Sequence, residues 1–539
     1  VDAISDHDSV SDGDIRRAVT DLYASGDYAD IEAEVVEQSG TVRVYIRGQR
    51  HPVLTSMAVE GVREFPVDTI SRSFTPLLGR PLNPLRVRSA IEEVLMRYRS
   101  SGLSLAHVNS LVFDTTTGRA TVEIDEGVIS RLDIRGTRKT KDYVIWRELP
   151  YARGDVLRAT RVAEGLANIY STNLFEQASV SVMTEGEKDE QLVVVISARE
   201  RNTELIRLGL RVDNERNIQP SVDIRDENFR GIGAELGVRA YGGTRNYAAV
   251  AEFKAVRIFD SYLTSNLRGY IASRDINAYS DAPRTRDDRF DRLRTGEMRE
   301  VRRGGSLSFG TQLERLGNVT VTGRLEHHHV YNIFNTPITN EEYDISSFRF
   351  ATRIDTQDRY PYPTEGVNMD FSYESALVKT AGSVGFTKML FRYEVAQTYA
   401  GRHTLRPRLV IGLGDDAVPT SEQFSLGGPE SFYGYREDNA RGRQILAASL
   451  EYLHKLSFRL FFDTYLKVRY DIGSIWLRPE EIRLIDLQHA VGVGLGFDTP
   501  VGPAEFAVGR SFYLRKDILE RPLALGPVVL SFSIGYPRD

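Results

Sequence analysis

The sequence predicts α+β repeats followed by an all-β, sixteen-stranded antiparallel transmembrane barrel. Three observations carry that expectation. A 75-residue period runs through the first two hundred residues. From about Glu204 the helical period gives way to alternation, with charges of both signs on the polar face. Short and long connections then alternate to the end of the chain, which suits a barrel with two unlike rims.

Composition narrows the function classes. The 539 residues carry 69 basic and 75 acidic side chains, a net charge of -6, which gives no electrostatic reason to expect nucleic acid. There is no cysteine, hence no disulfide framework, thiol nucleophile or thiolate metal site. No run of about 18 apolar residues marks a spanning helix. No signal peptide is visible at Val1, as in a mature or trimmed product. Hydrophobics at 41% and aromatics at 10% fit a soluble protein, and equally a barrel, whose apolar residues are dispersed by alternation.

The repeat is read from landmarks. Gly61 and Gly136, Gly79 and Gly154, Leu82 and Leu157, and Val87 and Val162 all stand 75 residues apart. Each unit reads strand, helix, helix, strand, strand. Val87, Ile91, Val94 and Tyr98 fall at helical spacing, and Gly102 suits the left-handed stop. Val162, Leu166, Ile169 and Tyr170 mark the equivalent face, with Asn173 as the stop. Leu22 to Val35 matches Ile169 to Val180, so a further, shortened copy comes first; its missing first strand and helix imply that something precedes Val1. The expected boundaries are 1–50 (partial unit), 51–127, 128–202, and 203–539 for the barrel.

In the barrel, Val367, Met369, Phe371 and Tyr373 share one face. Met389, Phe391, Tyr393 and Val395 point outward, with Arg392 and Glu394 inward. Phe462, Leu466, Val468, Tyr470 and Ile472 oppose Asp463, Lys467, Arg469 and Asp471. A lumen accepts the charged face, and lipid accepts only the other. Long connections are expected at Asp275 to Gly304, Tyr331 to Glu342, Gly414 to Arg443, Trp476 to Gln488 and Ser511 to Gly526. Val528, Leu530, Phe532, Ile534 and Tyr536 give the last strand one apolar face.

The repeats resemble POTRA domains, and three turns resemble the BamA/TamA superfamily of outer-membrane assembly barrels. These are DENFRGIG (Asp226 to Gly233), the Asp355, Asp358, Pro363 and Gly366 set in DTQDRYPYPTEG, and GVGLGFDTPVGP (Gly492 to Pro503). The resemblance covers nearly the whole chain. It implies that GGPESFYGYREDNARGRQ (Gly427 to Gln444) is the sixth extracellular loop, folded back as a barrel plug through Gly427, Gly428, Phe432, Tyr433, Gly434, Tyr435, Arg436, Arg441 and Gly442. The family's loop carries V-R-G-Y/F, whose arginine meets lumenal carboxylates. Here Gly434 and Tyr435 match, but Tyr433 replaces the arginine. Arg436 or Arg441 is then the expected cation, with Glu451, Asp463 and Asp471 as its expected lumen partners. A Gly-Tyr tip without the arginine also resembles barrels fused to patatin-type lipases. In those the lipase precedes the POTRA units, and no G-x-S-x-G nucleophile elbow occurs in this chain.

Other constellations are weaker. His327 and His329 could share a metal on one strand face, but no third ligand is evident, so a solvated position is favoured. The mixed-charge stretch Arg284 to Arg294 reads as a solvated loop. The glycine-rich stretch lacks the spacing of a phosphate loop. The expectation is therefore non-enzymatic, with no cofactor and no metal. The protein is placed in a bacterial or endosymbiotic-organelle outer membrane, with the POTRA units in the periplasm. Its expected partners are outer-membrane lipids, unfolded outer-membrane clients, and periplasmic chaperones or accessory lipoproteins. Clients would enter at a lateral seam containing Gly209, Leu530, Phe532, Ile534, Gly535 and Tyr536. The alternative is the anchoring portion of a patatin-linked autotransporter.

Overall fold

The computed structural model describes residues 10–38, 41–185, 191–258, 261, 263–282, 289–313, 317–336, 340–379, 382–457, 461–514 and 523–537. The chain divides into two compact units, Val1–Arg201 and Asn202–Asp539.

The first unit opens with α1 (Asp12–Ala24), β1 (Tyr28–Gln38) and β2 (Thr41–Arg50). Ser11 and Asp14 cap α1 reciprocally. Next come β3 (Ser56–Glu60), α2 (Val67–Phe74), α3 (Pro84–Ser100), β4 (His107–Asp114) and β5 (Arg119–Asp125). The pattern returns as β6 (Ile129–Arg135), α4 (Asp142–Trp146), α5 (Ala159–Ser171), β7 (Phe175–Glu185) and β8 (Gln191–Glu200). The sheets run β3-β5-β4 and β6-β8-β7, with the first pair parallel in each. Helix α3 buries Val87, Ala90, Val94 and Tyr98 against the sheet. On α5 the expected face is narrower. Ile169 is buried, whereas Tyr170 is half exposed and uses its hydroxyl on Ala178.

The first pair of repeat glycines has one shared cause, whereas Gly79 and Gly154 are needed only for their left-handed φ of +75° and +93°. Gly61 (φ +83°) and Gly136 (φ +90°) stand where a Cβ would strike the carbonyls of Ile124 and Ala198, respectively. Both end the first strand of a unit, where the chain passes tightly over the last strand. Successive copies are also tied together. Asn83 caps α3 and donates to Ser25 and Asp27, both at 2.7 Å. The amide of Ala159 donates to Gly102 at 3.1 Å.

The second unit is a closed barrel of sixteen strands, all neighbours antiparallel. They are β9 (Glu204–Asp213), β10 (Asn217–Asp226), β11 (Ala234–Gly242), β12 (Asn246–Ala255), β13 (Leu263–Asp281), β14 (Arg292–Leu313), β15 (Gly317–Phe334), β16 (Glu341–Asp355), β17 (Glu365–Ala376), β18 (Phe386–Tyr399) and β19 (His403–Gly414). A two-stranded piece, β20 (Phe424–Leu426) with β21 (Ala440–Gly442), interrupts the ring. The ring resumes with β22 (Gln444–Lys455), β23 (Asp463–Trp476), β24 (Gln488–Thr499), β25 (Gly502–Leu514) and β26 (Leu523–Ile534).

Besides the stretch that holds β20 and β21, three of the expected loops are partly strand, among them Ser511 to Gly526, where β25 runs on to Leu514 and β26 starts at Leu523. Residues 275–281 and 292–304 continue β13 and β14, and β15 runs on to Phe334. Along these extensions Asp275 and Asn277 take the parity of the outward Ile271, while Ile276, Met298 and Val330 pack together in a buried cluster, and the ladder persists through polar pairs such as Arg299 with Asp275 at 2.8 Å. Of the mixed-charge stretch Arg284 to Arg294, residues 284–288 lie outside the described ones.

The three motif turns hold themselves by short-range hydrogen bonds. Asn228 is buried and accepts the Gly233 amide at 2.8 Å. Asp358 accepts the amide of Thr364 at 2.7 Å. The Thr499 hydroxyl donates to the Gly502 carbonyl at 2.5 Å, and Gly502 (φ +112°) lies against Gly535 and Tyr536 at the end of the last strand.

Candidate functional site: the lumenal loop and the seam

Strand β19 leads into a loop that turns back through the pairing of Phe424 with Gly442 and of Leu426 with Ala440. The tip is made possible by left-handed glycines. Gly427 (φ +135°) has no room for a Cβ beside the Arg436 carbonyl. Gly434 (φ +77°) is pressed against the backbone of Arg510 and Ser511 in β25. Phe432, Tyr433 and Tyr435 are buried with Leu426, Ile445, Ala490 and Ala507. The loop therefore lies on the lumenal face of β22 to β25.

The contacts at Tyr433 differ from the expected ones. Its amide donates to Asp471 at 2.8 Å, and its hydroxyl donates to Glu505 at 2.7 Å. Its ring lies 4.7 Å from the guanidinium of Arg469. Arg469 donates to the carbonyls of Pro429 and Ser431 at 2.9 and 2.8 Å, and to Asp471 at 2.7 Å. Arg408 adds a bond to Ser431 at 3.1 Å. The cation that grips the tip is thus on the barrel wall.

Neither proposed loop arginine meets Glu451, Asp463 or Asp471. Arg436 is half exposed and lies 3.6 Å from Glu215. Arg441 pairs with Asp438 inside the loop at 3.1 Å, and Gly442 lies against the Trp476 carbonyl. Glu451 is taken by Arg406 (2.9 Å) and Lys467 (3.3 Å), and Asp463 by Lys455 (2.5 Å). The reason is local reach. A buried carboxylate needs a cation, and side chains two residues along a strand or directly across a ladder are already in place. Lys467 and Arg469 stand in the sequence on the same face as Asp471, and that was the available signal. Arg406 and Arg408 on β19 carried none.

The loop also reaches the start of the barrel. Glu437 pairs with Arg216 in the β9–β10 turn. Asp438 meets Arg274 of β13 at 2.6 Å, and Glu430 lies 3.4 Å from Arg211 of β9.

The seam is the shortest ladder in the ring. Strands β26 and β9 pair only through Ser533 with Asp213 and Ile534 with Val212. Every other ladder is longer; β10 with β11, the next shortest, runs from Ser221 to Asp226. The two edge strands are staggered. Strand β9 turns away at Asp213 while β26 continues to Leu523, and Glu204 to Arg211 lie below the paired residues. Leu530 and Leu208 are largely exposed on the outer face, and Gly209 lies in the stretch of β9 without a β26 partner. Gly535 (φ +100°) abuts the Leu210 carbonyl, a close backbone approach with no space for a side chain. Phe532 and Ile534 continue the outward face, and Tyr536 stacks on Tyr360 at 6.0 Å.

The histidines divide by strand parity. His327 faces out, 2.8 Å from Asp344 and 2.9 Å from Glu342. His329 tilts against Tyr331. His328 is the lumenal one, with Glu326 at 2.6 Å and Glu422 nearby. Arg324 and Lys388 already neutralise that cluster, so its chemistry is that of a buried ion-pair network.

A closed barrel with an apolar outer face, a charged lumen, a returned loop and preceding α+β units defines an outer-membrane barrel of the POTRA-bearing class. The chain belongs to the Omp85 superfamily, whose superfamily domain matches residues 228–535. It is 24% identical over 408 residues to the outer membrane protein assembly factor BamA of Nitratidesulfovibrio vulgaris, covering 71% of this chain and 48% of that protein. It is 23% identical over 253 residues to a putative outer membrane protein assembly factor of Treponema pallidum, covering 42% of this chain and 30% of that protein. The chain therefore spans about half the length, or less, of the curated relatives it matches. BamA from Haemophilus ducreyi lacking POTRA domains 1-3 superposes with a TM-score of 0.63 at 14% identity, covering 89% of this chain and 99% of that one. CdiB from Escherichia coli superposes at 0.51 with 13% identity, covering 98% and 99%. Both likenesses are of fold. None of these relatives is named as patatin-linked, and nothing in the comparisons supports that branch.

Proposed function

We propose that this protein inserts or translocates outer-membrane proteins, with the POTRA units receiving the client and the β9–β26 seam admitting it. The observation that carries the reading is the two-pair ladder at the seam. A strand edge in lipid cannot leave its amides and carbonyls unpaired, so a short ladder is the cheapest place to open and the edge most ready to template an incoming strand. The units 1–50, 51–127 and 128–202 are the proposed POTRA domains. Strand β4 is the outer strand of its sheet and exposes Leu111 and Val112, an edge to which an extended client could add. Outer-membrane lipids and unfolded barrel proteins are the proposed partners, with chaperones or accessory lipoproteins feeding the POTRA edges.

The test uses a disulfide across the seam. The chain has no cysteine, so Val212→Cys with Ile534→Cys, a paired register position, introduces one pair only. Oxidation is expected to stop client insertion and reduction to restore it. Undiminished insertion by the oxidised protein refutes the gate.

A further inference from the structure

Where the seam's backbone ladder stops, a side chain continues it. The Asn214 amide N–H donates to the Phe532 carbonyl at 3.2 Å, the first hydrogen bond beyond the paired residues. Its side chain then bonds β26 on both sides of Ser531. Oδ1 accepts the Phe532 N–H at 2.9 Å, and Nδ2 donates to the Leu530 carbonyl at 2.9 Å. A carboxamide presents one acceptor and one donor in a plane, as a peptide group does. Asn214 thereby stands in for the strand residue that β9 no longer supplies, because β9 ends at Asp213 and turns into β10.

The turn that carries Asn214 is held in place by the plug. Asp213 accepts the Glu215 amide at 3.0 Å, which shapes the turn. Arg216 is forked onto the Glu437 carboxylate, with two of the contacts at 3.1 Å. Glu215 lies 3.6 Å from Arg436, and Arg211 lies 3.4 Å from Glu430. Glu430, Arg436 and Glu437 all belong to the loop tip. Two ion pairs thus join the plug to one short turn and a third joins it to the end of β9, and that turn supplies three of the hydrogen bonds closing the seam.

We propose that Asn214 is the latch of the seam and that the plug loop, through Glu437 and Arg216, holds the latch shut. A client or partner that displaces the loop tip would free the turn, withdraw the Asn214 amide from β26 and leave only the pairs at Ser533 and Ile534. This deepens the seam reading of the previous section and rests on it. Asn214 acts here as a positioning residue, since it orients the edge strand and meets no client in the closed state.

The experiment measures the seam without any client, so its outcome is independent of whether the protein inserts others. Spin labels at Leu208→Cys and Val528→Cys report the β9–β26 separation in the full chain in lipid bilayers. Both side chains are exposed on the outer face and neither touches the latch. Asn214→Ala is expected to raise the ratio of separated to closed seams roughly ten-fold, the effect of losing about two hydrogen bonds. Asn214→Asp keeps the acceptor for Phe532 but cannot donate to Leu530, and is expected to fall between wild type and alanine. Glu437→Gln, with Asn214 intact, is expected to shift the distances in the same direction. Retention of the compact barrel on unheated gels confirms that each variant is folded. A wild-type distance distribution in folded Asn214→Ala or Asn214→Asp overturns the latch. An open seam in Asn214→Ala beside an unchanged one in Glu437→Gln overturns the control by the plug.

Discussion

Glu200 shows how one side chain can complete a repeat. Burial pushes its carboxyl up, but the Thr140 hydroxyl and the amides of Thr140, Lys139 and Arg138 outweigh that and hold it below the usual carboxylate range. One unit earlier Glu126 holds the corresponding loop, accepting the amides of Arg63 and Glu64 at 2.9 and 3.1 Å. In both units a glutamate at the end of the last strand, Glu200 within β8 and Glu126 one residue past β5, ties down the loop that leaves the first strand. A carboxyl whose folded pKa is depressed stabilises fully above its unfolded value, about 4.3, and that contribution is lost as pH falls through the folded value. Glu200→Gln is therefore expected to cost the first unit about 1–2 kcal/mol at neutral pH. The difference from wild type should shrink below about pH 4. Hydrogen exchange on β6 and β8 in the full chain, compared between the two proteins across pH, checks both the size and the direction.

At the scale of elements, the plug and wall are matched as a set. The cation lies on β23 at Arg469, and the tip supplies an aromatic face at Tyr433. Tyr433→Arg would bury a second guanidinium beside Arg469 with no added carboxylate to neutralise it. It is expected to weaken the plug by about 2–4 kcal/mol, and Arg469→Ala in the same chain should recover part of that loss. Protease access to the loop and the temperature at which the barrel unfolds on gels form the four cornered comparison. The glycine-rich tip and its place between β19 and β22 were legible in the sequence, because glycine and alternation are local signals. The pairing was not. Alternation along β23 already puts Arg469 beside Asp471, but only the path of the folded loop brings the Pro429 and Ser431 carbonyls to Arg469 and leaves Arg436 beside Glu215.

The whole molecule is divided at one joint. The two compact units meet between Arg201 and Asn202, where β8 ends and β9 soon begins. A protease site inserted at that joint is expected to release the first unit in soluble form and to leave a barrel that still migrates as a folded species on unheated gels. Aggregation of the released piece, or loss of the compact barrel, would mean that the units do not hold their own cores. The same independence explains why the 75-residue period is so clear. Each α+β unit builds most of its own core, Ile70, Phe74 and Tyr98 in one and Ile145, Ile169 and Ile196 in the next, with Val156 of the later unit joining the earlier core, so each repeats the same spacing.

The sequence by itself determined the repeat, the sixteen-strand alternation and which face of each strand meets lipid. These follow from periods of 3.6 and 2 and from glycines at Gly61, Gly79, Gly136 and Gly154 whose left-handed φ other residues rarely adopt. The tertiary structure alone decided who pairs with whom in the lumen, how far the strands run beyond the membrane, and where the ring is weakest. Those depend on register between strands far apart in the chain. Ser533 meets Asp213 only because the barrel closes, and Asn214 finds Leu530 and Phe532 only because β9 stops short of β26.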